Sequence, residues 1–350
     1  MLKRLLRDLA DRFNRLLLPL TSSSGLVASV HYLFLSRRFD REHRAVLAGR
    51  LAYERGLSAS LRSSPLLRRN VHRLEKGLVM QPRNPVFAED YIEETVVEFA
   101  RVTATGGLDP VEHKWARDVL DEYFRAVSGT PVIERARARF IAAQTGDPRT
   151  LQAASSVPRE RAALPTADVS IDDFLSLCRQ RRSVRWFEQK PVPRALVVKA
   201  LDAALQAPSA CNRQPFLFRY FDQPSDARRI AGIAMGTAGY AENVPAVLVV
   251  LGDLGCYPHE RDRHVPYIDA SLAAMQFMLA LETLGLASCP INWPDVDALE
   301  RRMAGALELP PHIRPVMLIA VGYPDPRGGV PFSAKKSSES LLRMSNDYQP

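Results

Sequence analysis

The chain has 350 residues, more than one ordinary domain needs, so two units are expected. Its 46% hydrophobic and 25% charged residues are ordinary for a soluble globular protein. Its four cysteines, Cys178, Cys211, Cys256 and Cys289, are widely spaced and form no CxxC pair; this argues against a disulfide framework or zinc site and fits a reducing cytoplasm.

The net charge of +8 is uneven. Residues 1–76 hold 16 Lys/Arg against 6 Asp/Glu, residues 77–165 hold 11 against 13, and residues 166–350 hold 20 of each. An acidic protein or an anionic membrane surface would therefore meet the first 76 residues; nucleic acid is not expected as a partner. The opening "MLKRLLRDLADRFNRLLLPL" places apolar residues at helical spacing opposite arginines. It reads as an amphipathic helix packed on the protein, with a surface-lying membrane helix as the alternative. Leu16 to Leu35 has no charged side chain and nearly the length of a span, but Pro19, Gly25, His31 and several hydroxyls dilute its hydropathy. No cleavable signal is convincing. The expected location is cytoplasmic, with peripheral contact at the inner membrane face as an option.

Residues 1–145 read as a mostly helical domain. "DYIEETVVEFARV" (90–102) and "VEHKWARDVLDEYFRAV" (111–127) carry 3.6-residue apolar periodicity, punctuated by Gly106-Gly107 and by Gly129 with Pro131. Residues 146–167, rich in Pro, Ser, Ala and Arg, form the linker candidate. A second domain, 168–350, then alternates helices with short β-rich runs. "SIDDFLSLCRQR" opens with Ser170 as cap and Asp173 at the third helical position. "PRALVVKALDAALQ" (193–206) is a second helix, with Pro193 near its start. "FLFRYF" (216–221), "PAVLVVLG" (245–252) and "RPVMLIAVGY" (314–323) read as strands, the last two buried. "PYIDASLAAMQFMLALETLG" (266–285) is a helix apolar nearly all round, hence central.

Four stretches invite a chemical reading. In "RRSVRWF", Arg181, Arg182, Ser183 and Arg185 follow a helix end. They either cap its free carbonyls or form a phosphate and polyol clamp, since guanidinium forks match phosphate oxygens. In "QAPSACNRQPF", Pro208 stops a helix, and Ser209, Asn212 and Gln214 put more polar groups into the loop than a turn needs. "LGLASCPINWPD" (284–295) reads as a compact loop through Pro290, whose backbone can approach a flat ring. In "FSAKKSS", Lys335 and Lys336 follow the last strand and could add positive charge. His259 and His264, flanking Glu260 and Asp262, fit a solvated charged loop better than a metal site.

In this order and spacing, "RRSVRWFEQKPVP", "APSACNRQPF", "DASLAAMQFMLALETLGLASCPI" and "VGYPDP" with "SAKKSSESL" resemble the blocks of the nitroreductase family, FMN-dependent oxidoreductases of α+β fold. The resemblance covers residue 168 to about 343 and implies a central mixed sheet flanked by helices. It further implies FMN held by Arg181, Arg182, Ser183 and Arg185. Pro208, Ser209, Ala210, Asn212 and Gln214 would lie in a loop reaching the partner's flavin. Pro290, Ile291 and Asn292 would border the ring, and Lys335 and Lys336 would close on the phosphate. It implies a homodimer with shared active sites, hydride from NADH or NADPH passing through flavin N5 to a small electron acceptor, and no catalytic side chain. The chain departs from the pattern at Asn292-Trp293, where some members carry an acidic-glycine pair and where Trp293 could cover the ring. Phe216 stands where tryptophan is common, and "LGCYPHERDRH" leaves no room for a long lid. In the first half, "NVHRLEKGLVMQPRNP" (70–85) sets His72, Glu75 and Lys76 on one helical face. It resembles a segment preceding this domain in long members associated with polysaccharide gene clusters. The alternative function is a non-catalytic or differently reacting flavin-fold module in envelope or polysaccharide assembly.

Overall fold

A computed structural model describes residues 16–56, 62–144, 155–342 and 344. The opening amphipathic stretch up to residue 15 and part of the expected linker, 145–154, lie outside them; residues 155–167 hold one short turn at Arg161–Ala163.

After helical residues 16–21 and short helical turns at Gly25–Val30 and His31–Leu35, the described residues of the first half form five further helices: α1 (Asp40–Glu54), α2 (Pro65–Leu78), α3 (Ile92–Thr105), α4 (Pro110–Ala126) and α5 (Pro131–Gln144). Local chemistry sets their ends. The Ser64 hydroxyl accepts from the Leu67 N–H ahead of a proline at N1, and Asp109 does the same for Val111 and Glu112. Helix α3 stops where Gly106 turns left-handed, at φ 63°. Helices α2–α5 bury Leu67, Leu74, Ile92, Phe99, Leu120 and Tyr123 in one core. Helix α1 instead turns Ala45, Gly49 and Ala52 toward the second half.

That half is a four-stranded sheet between helical layers: α6 (Ile171–Gln180), α7 (Arg194–Ala204), β1 (Phe216–Phe221), α8 (Pro224–Ala231), β2 (Ala246–Asp253), α9 (Val265–Thr283), β3 (Ala287–Asn292), α10 (Asp297–Leu307) and β4 (Ile313–Gly322). The order is β1-β2-β4-β3. Period-2 alternation sends Val247, Val249 and Leu251 of β2 into the core with α8 and α10, and Leu248 and Val250 into the core with α7 and α9. Every residue of β2 is buried, as its unbroken apolar run requires.

Three expectations are corrected. The sheet is not mixed: its strand pairs are antiparallel, and parallel pairing occurs only as the isolated bridge Ser183–Ser288 among the described residues. The stretch after α9, read as a loop, is strand β3; its proline is tolerated because β3 is an edge strand. Trp293, which could have covered the ring, is instead buried in the sheet core, and its Nε1 donates to Glu300 Oε1 at 2.7 Å.

The two halves are docked together. A Cβ on Gly49 would come 2.6 Å from the Leu254 Cβ, so α1 lies directly on the turn after β2. Arg41 pairs with Asp295 and Asp297, and Arg50 pairs with Glu260. Part of the N-terminal positive charge, at Arg41 and Arg50, thus meets acidic groups of the second half. No described helix is long and apolar enough to cross a membrane.

Candidate active site

Helix α6 ends at Arg181, which leaves in extended conformation while its N–H still bonds the Leu177 carbonyl at 3.0 Å. The next residues are stitched to the sheet margin. Val184 N–H donates to the Ser288 carbonyl at 3.0 Å, Glu188 N–H to Tyr323 at 2.9 Å, and Asp325 N–H to Trp186 at 3.0 Å. Phe187 is buried at the foot of this segment. The Asn243 amide donates to the Arg185 carbonyl at 2.8 Å, and the Arg185 guanidinium sits 5.7 Å from the Tyr240 ring centroid. A rigid apolar anchor therefore holds a half-buried run of cations.

The C-terminal segment folds back over this run, and Arg182 donates to the carbonyls of Pro331 and Phe332. Between them lies a cavity of about 380 Å³ lined by Arg179, Arg181, Arg182, Ser183, Arg185 and Lys335 among others. No carboxylate lines it, and none of these cations forms an ion pair among the described residues. Five positive charges are thus gathered with no carboxylate in the lining, the Arg181 charge also acting on Glu282 outside it, an arrangement suited to a phosphate. The fully buried Ser288 hydroxyl, on the strand position bridged to Ser183, has no hydrogen-bond partner among the described residues.

The structure brings together the predicted Arg181, Arg182, Ser183, Arg185 and Lys335, whereas Lys336 is exposed outside the cavity lining. On β3, Ile291 points into the core with α8 and α10, while Pro290 is half-buried and Asn292 exposed. Nearby Cys289 is buried, which raises its thiol pKa and disfavours the thiolate, and Tyr240 OH lies 3.8 Å from its sulfur.

Pro208, Ser209, Ala210, Asn212 and Gln214 lie elsewhere, in a loop between α7 and β1. Cys211, Asn212 and Gln214 adopt positive φ of 52°, 50° and 50°. Interior partners hold this shape: the Asp269 carboxylate accepts from Ala210 N–H at 2.9 Å, and Ser209 Oγ accepts from Gln214 N–H at 3.1 Å. Burial raises the Asp269 pKa, against the opposing effect of hydrogen bonds from the Ala210 N–H and the Tyr257 hydroxyl. Asn212 and Gln214 line a second cavity, with α2 and α4. Sequence reasoning missed Asp269, Asn243 and the whole contribution of α2 and α4. Asp269 had a faint signal, a lone carboxylate in an otherwise apolar helix.

Comparison with known proteins points to the same family that the motifs resemble. The nitroreductase family model matches residues 178–239 and 233–323. An NADH dehydrogenase from Thermus thermophilus is 30% identical over 193 residues, covering 46% of this chain and 92% of the relative. Iodotyrosine deiodinase 1 from Rattus norvegicus is 23% identical over 201 residues, covering 49% and 68%. Among solved structures, an FMN-dependent nitroreductase from Clostridium difficile aligns with a TM-score of 0.42 at 23% identity, over 49% of this chain and 99% of its own.

Proposed function

The chain belongs to the nitroreductase family, and we propose that it is an FMN-dependent NAD(P)H oxidoreductase that hands hydride to a small electron acceptor. The observation that carries this reading is the carboxylate-free cavity in which the motif residues Arg181, Arg182, Arg185 and Lys335 are joined by Arg179, which the sequence reading did not single out. The residues fit the cofactor: the arginines and Lys335 would hold the phosphate, and the Ser183 hydroxyl a polyol oxygen. When bound, FMN supplies a flavin ring that accepts hydride from NADH or NADPH and passes it on. The protein's part is to bind, orient and exclude water. Arg182, tied to the carbonyls of Pro331 and Phe332, holds the C-terminal segment over the cavity, with Lys335 along its wall. Pro290 and Asn292 face away from the core and would border the ring.

A homodimer accompanies the proposal. Helix α9 buries Ala270, Ala273, Phe277 and Leu281 but exposes Ile268, Leu272 and Met275 on its other side. Helix α6 likewise exposes Ile171, Phe174 and Leu175. A second copy would cover both faces and bring the 208–214 loop to the partner's flavin. We place the enzyme in the cytoplasm, where NAD(P)H is available.

The visible spectrum of the purified protein tests the reading. Oxidised-flavin bands should bleach anaerobically with NADH or NADPH, which also names the donor. Flavin that neither donor reduces would sink it in favour of a differently reacting flavoprotein. A colourless chain that cannot be reconstituted with FMN would favour a non-catalytic module.

A further inference from the structure

Arg213 lies between two of the family's loop residues, yet its side chain does something they do not. It is 7% exposed, lies 4.5 Å over the Tyr257 ring centroid, and lines the cavity between the 206–216 loop and the helical half. Its Nε is buried without a partner, and its guanidinium makes no hydrogen bond or ion pair among the described residues. An unpaired buried guanidinium is costly unless something anionic completes it.

The neighbouring acids are already engaged. Glu112 takes the Ser63 hydroxyl at 2.8 Å, the Ser64 N–H at 3.0 Å and Arg68 at 2.8 Å. Asp109 caps α4, and Asp269, on which the Arg213 charge acts at a distance, is bonded to the Ala210 N–H and the Tyr257 hydroxyl instead of to the guanidinium. The cavity measures about 540 Å³, within the size range of small-molecule sites. Its walls include Trp115 and Phe216, and Arg62 at the rim also lacks a carboxylate partner.

We propose that this cavity binds a small organic carboxylate with an apolar or aromatic body, its carboxylate seated on Arg213 and its body against Trp115 and Phe216. A guanidinium fork matches a carboxylate. A dianionic phosphate would be opposed by the Asp109 and Glu112 carboxylates that also line the space. Residues of both halves build the site, which assigns the helical half a share in ligand recognition. The proposal does not depend on what occupies the Arg181–Lys335 cavity.

Calorimetric titration of the full-length protein, as purified, with benzoate and with its neutral isostere benzamide tests it. Benzoate should bind saturably at one site per chain and benzamide at least about tenfold more weakly, the loss of one charged hydrogen-bonded pair. Arg213→Gln should weaken benzoate about tenfold and Arg62→Gln severalfold. Lys335→Gln, in the other cavity, should leave it unchanged. Equal binding of the two probes, no benzoate binding, an unaffected Arg213→Gln protein or loss in Lys335→Gln would each overturn the assignment. Should Arg213→Gln not fold, the two-probe comparison on the unaltered protein and Arg62→Gln still decide.

Discussion

The molecule has two arginine-lined cavities, and they differ in what faces the arginines. In one, Arg179, Arg181, Arg182, Arg185 and Lys335 surround a space without any carboxylate. In the other, between the halves, Arg68 is spent on Glu112, and Arg68 Nε also bonds the Asn212 carbonyl at 2.7 Å. Arg62 and Arg213 form no ion pair there among the described residues. The lesson is that arginine count does not identify an anion site. Uncompensated charge does, because a cation already paired in the native state has little left to offer a ligand.

Charge reversal gives the largest expected effect. Arg185→Glu should weaken FMN retention by about 100-fold or more, since it replaces a donor with a repelling charge. Flavin content per polypeptide reads this directly, and full occupancy would show that the cavity is not the phosphate site. In the compensated cavity the same kind of change should act on folding instead. Glu112→Ala would leave Arg68, the Ser63 hydroxyl and the Ser64 N–H without their acceptor and cost about 3 kcal/mol in denaturant unfolding. An unchanged midpoint would mean that the pair is not part of the docking.

The junction gives a finer test. Gly49→Ala places its methyl 2.6 Å from the Leu254 Cβ and 2.9 Å from the Leu254 backbone, so α1 must lift from the turn after β2. Overpacking of about 2 kcal/mol should outweigh alanine's better helix propensity of about 1 kcal/mol. A net gain in thermal stability would show that α1 does not rest there. The smallest effect concerns His312, beside Gly255 in the same junction. Burial lowers its pKa below the ordinary 6.5, with the nearby Asp253 opposing. The unfolded chain therefore takes up the proton first, so stability should be flat above pH 6.5 and fall as the pH drops below it. His312→Gln should remove that part of the slope in unfolding curves measured across the range.

Much of this was legible in the chain. Ser170 caps α6 through the Asp173 N–H at 3.1 Å, as the capping pattern requires, and the apolar runs of β2 and β4 became buried strands within a residue of their expected ends. Strand β3 escaped because its six residues include a proline and three small side chains and lack the usual β-formers except Ile291. Helices α8 and α10 escaped because charged residues interrupt their short apolar faces.

By itself, then, the sequence determined the helices whose caps and periodicity are local, the strands whose burial shows as continuous hydrophobicity, and the run Arg181–Arg185 that we propose holds a phosphate. Tertiary structure decided the rest, because those properties belong to pairs of groups distant in the chain. The Arg68 guanidinium meets an acid 44 residues on, while its Nε reaches a carbonyl 144 residues away. Lys335 joins Arg181 only because the C-terminal segment folds back over the cavity. Arg213 forms no ion pair among the described residues because Asp109, Glu112 and Asp269 have other hydrogen-bond donors. Whether a charge is free for a ligand depends on what else the fold sets beside it, and one-dimensional spacing does not carry that information.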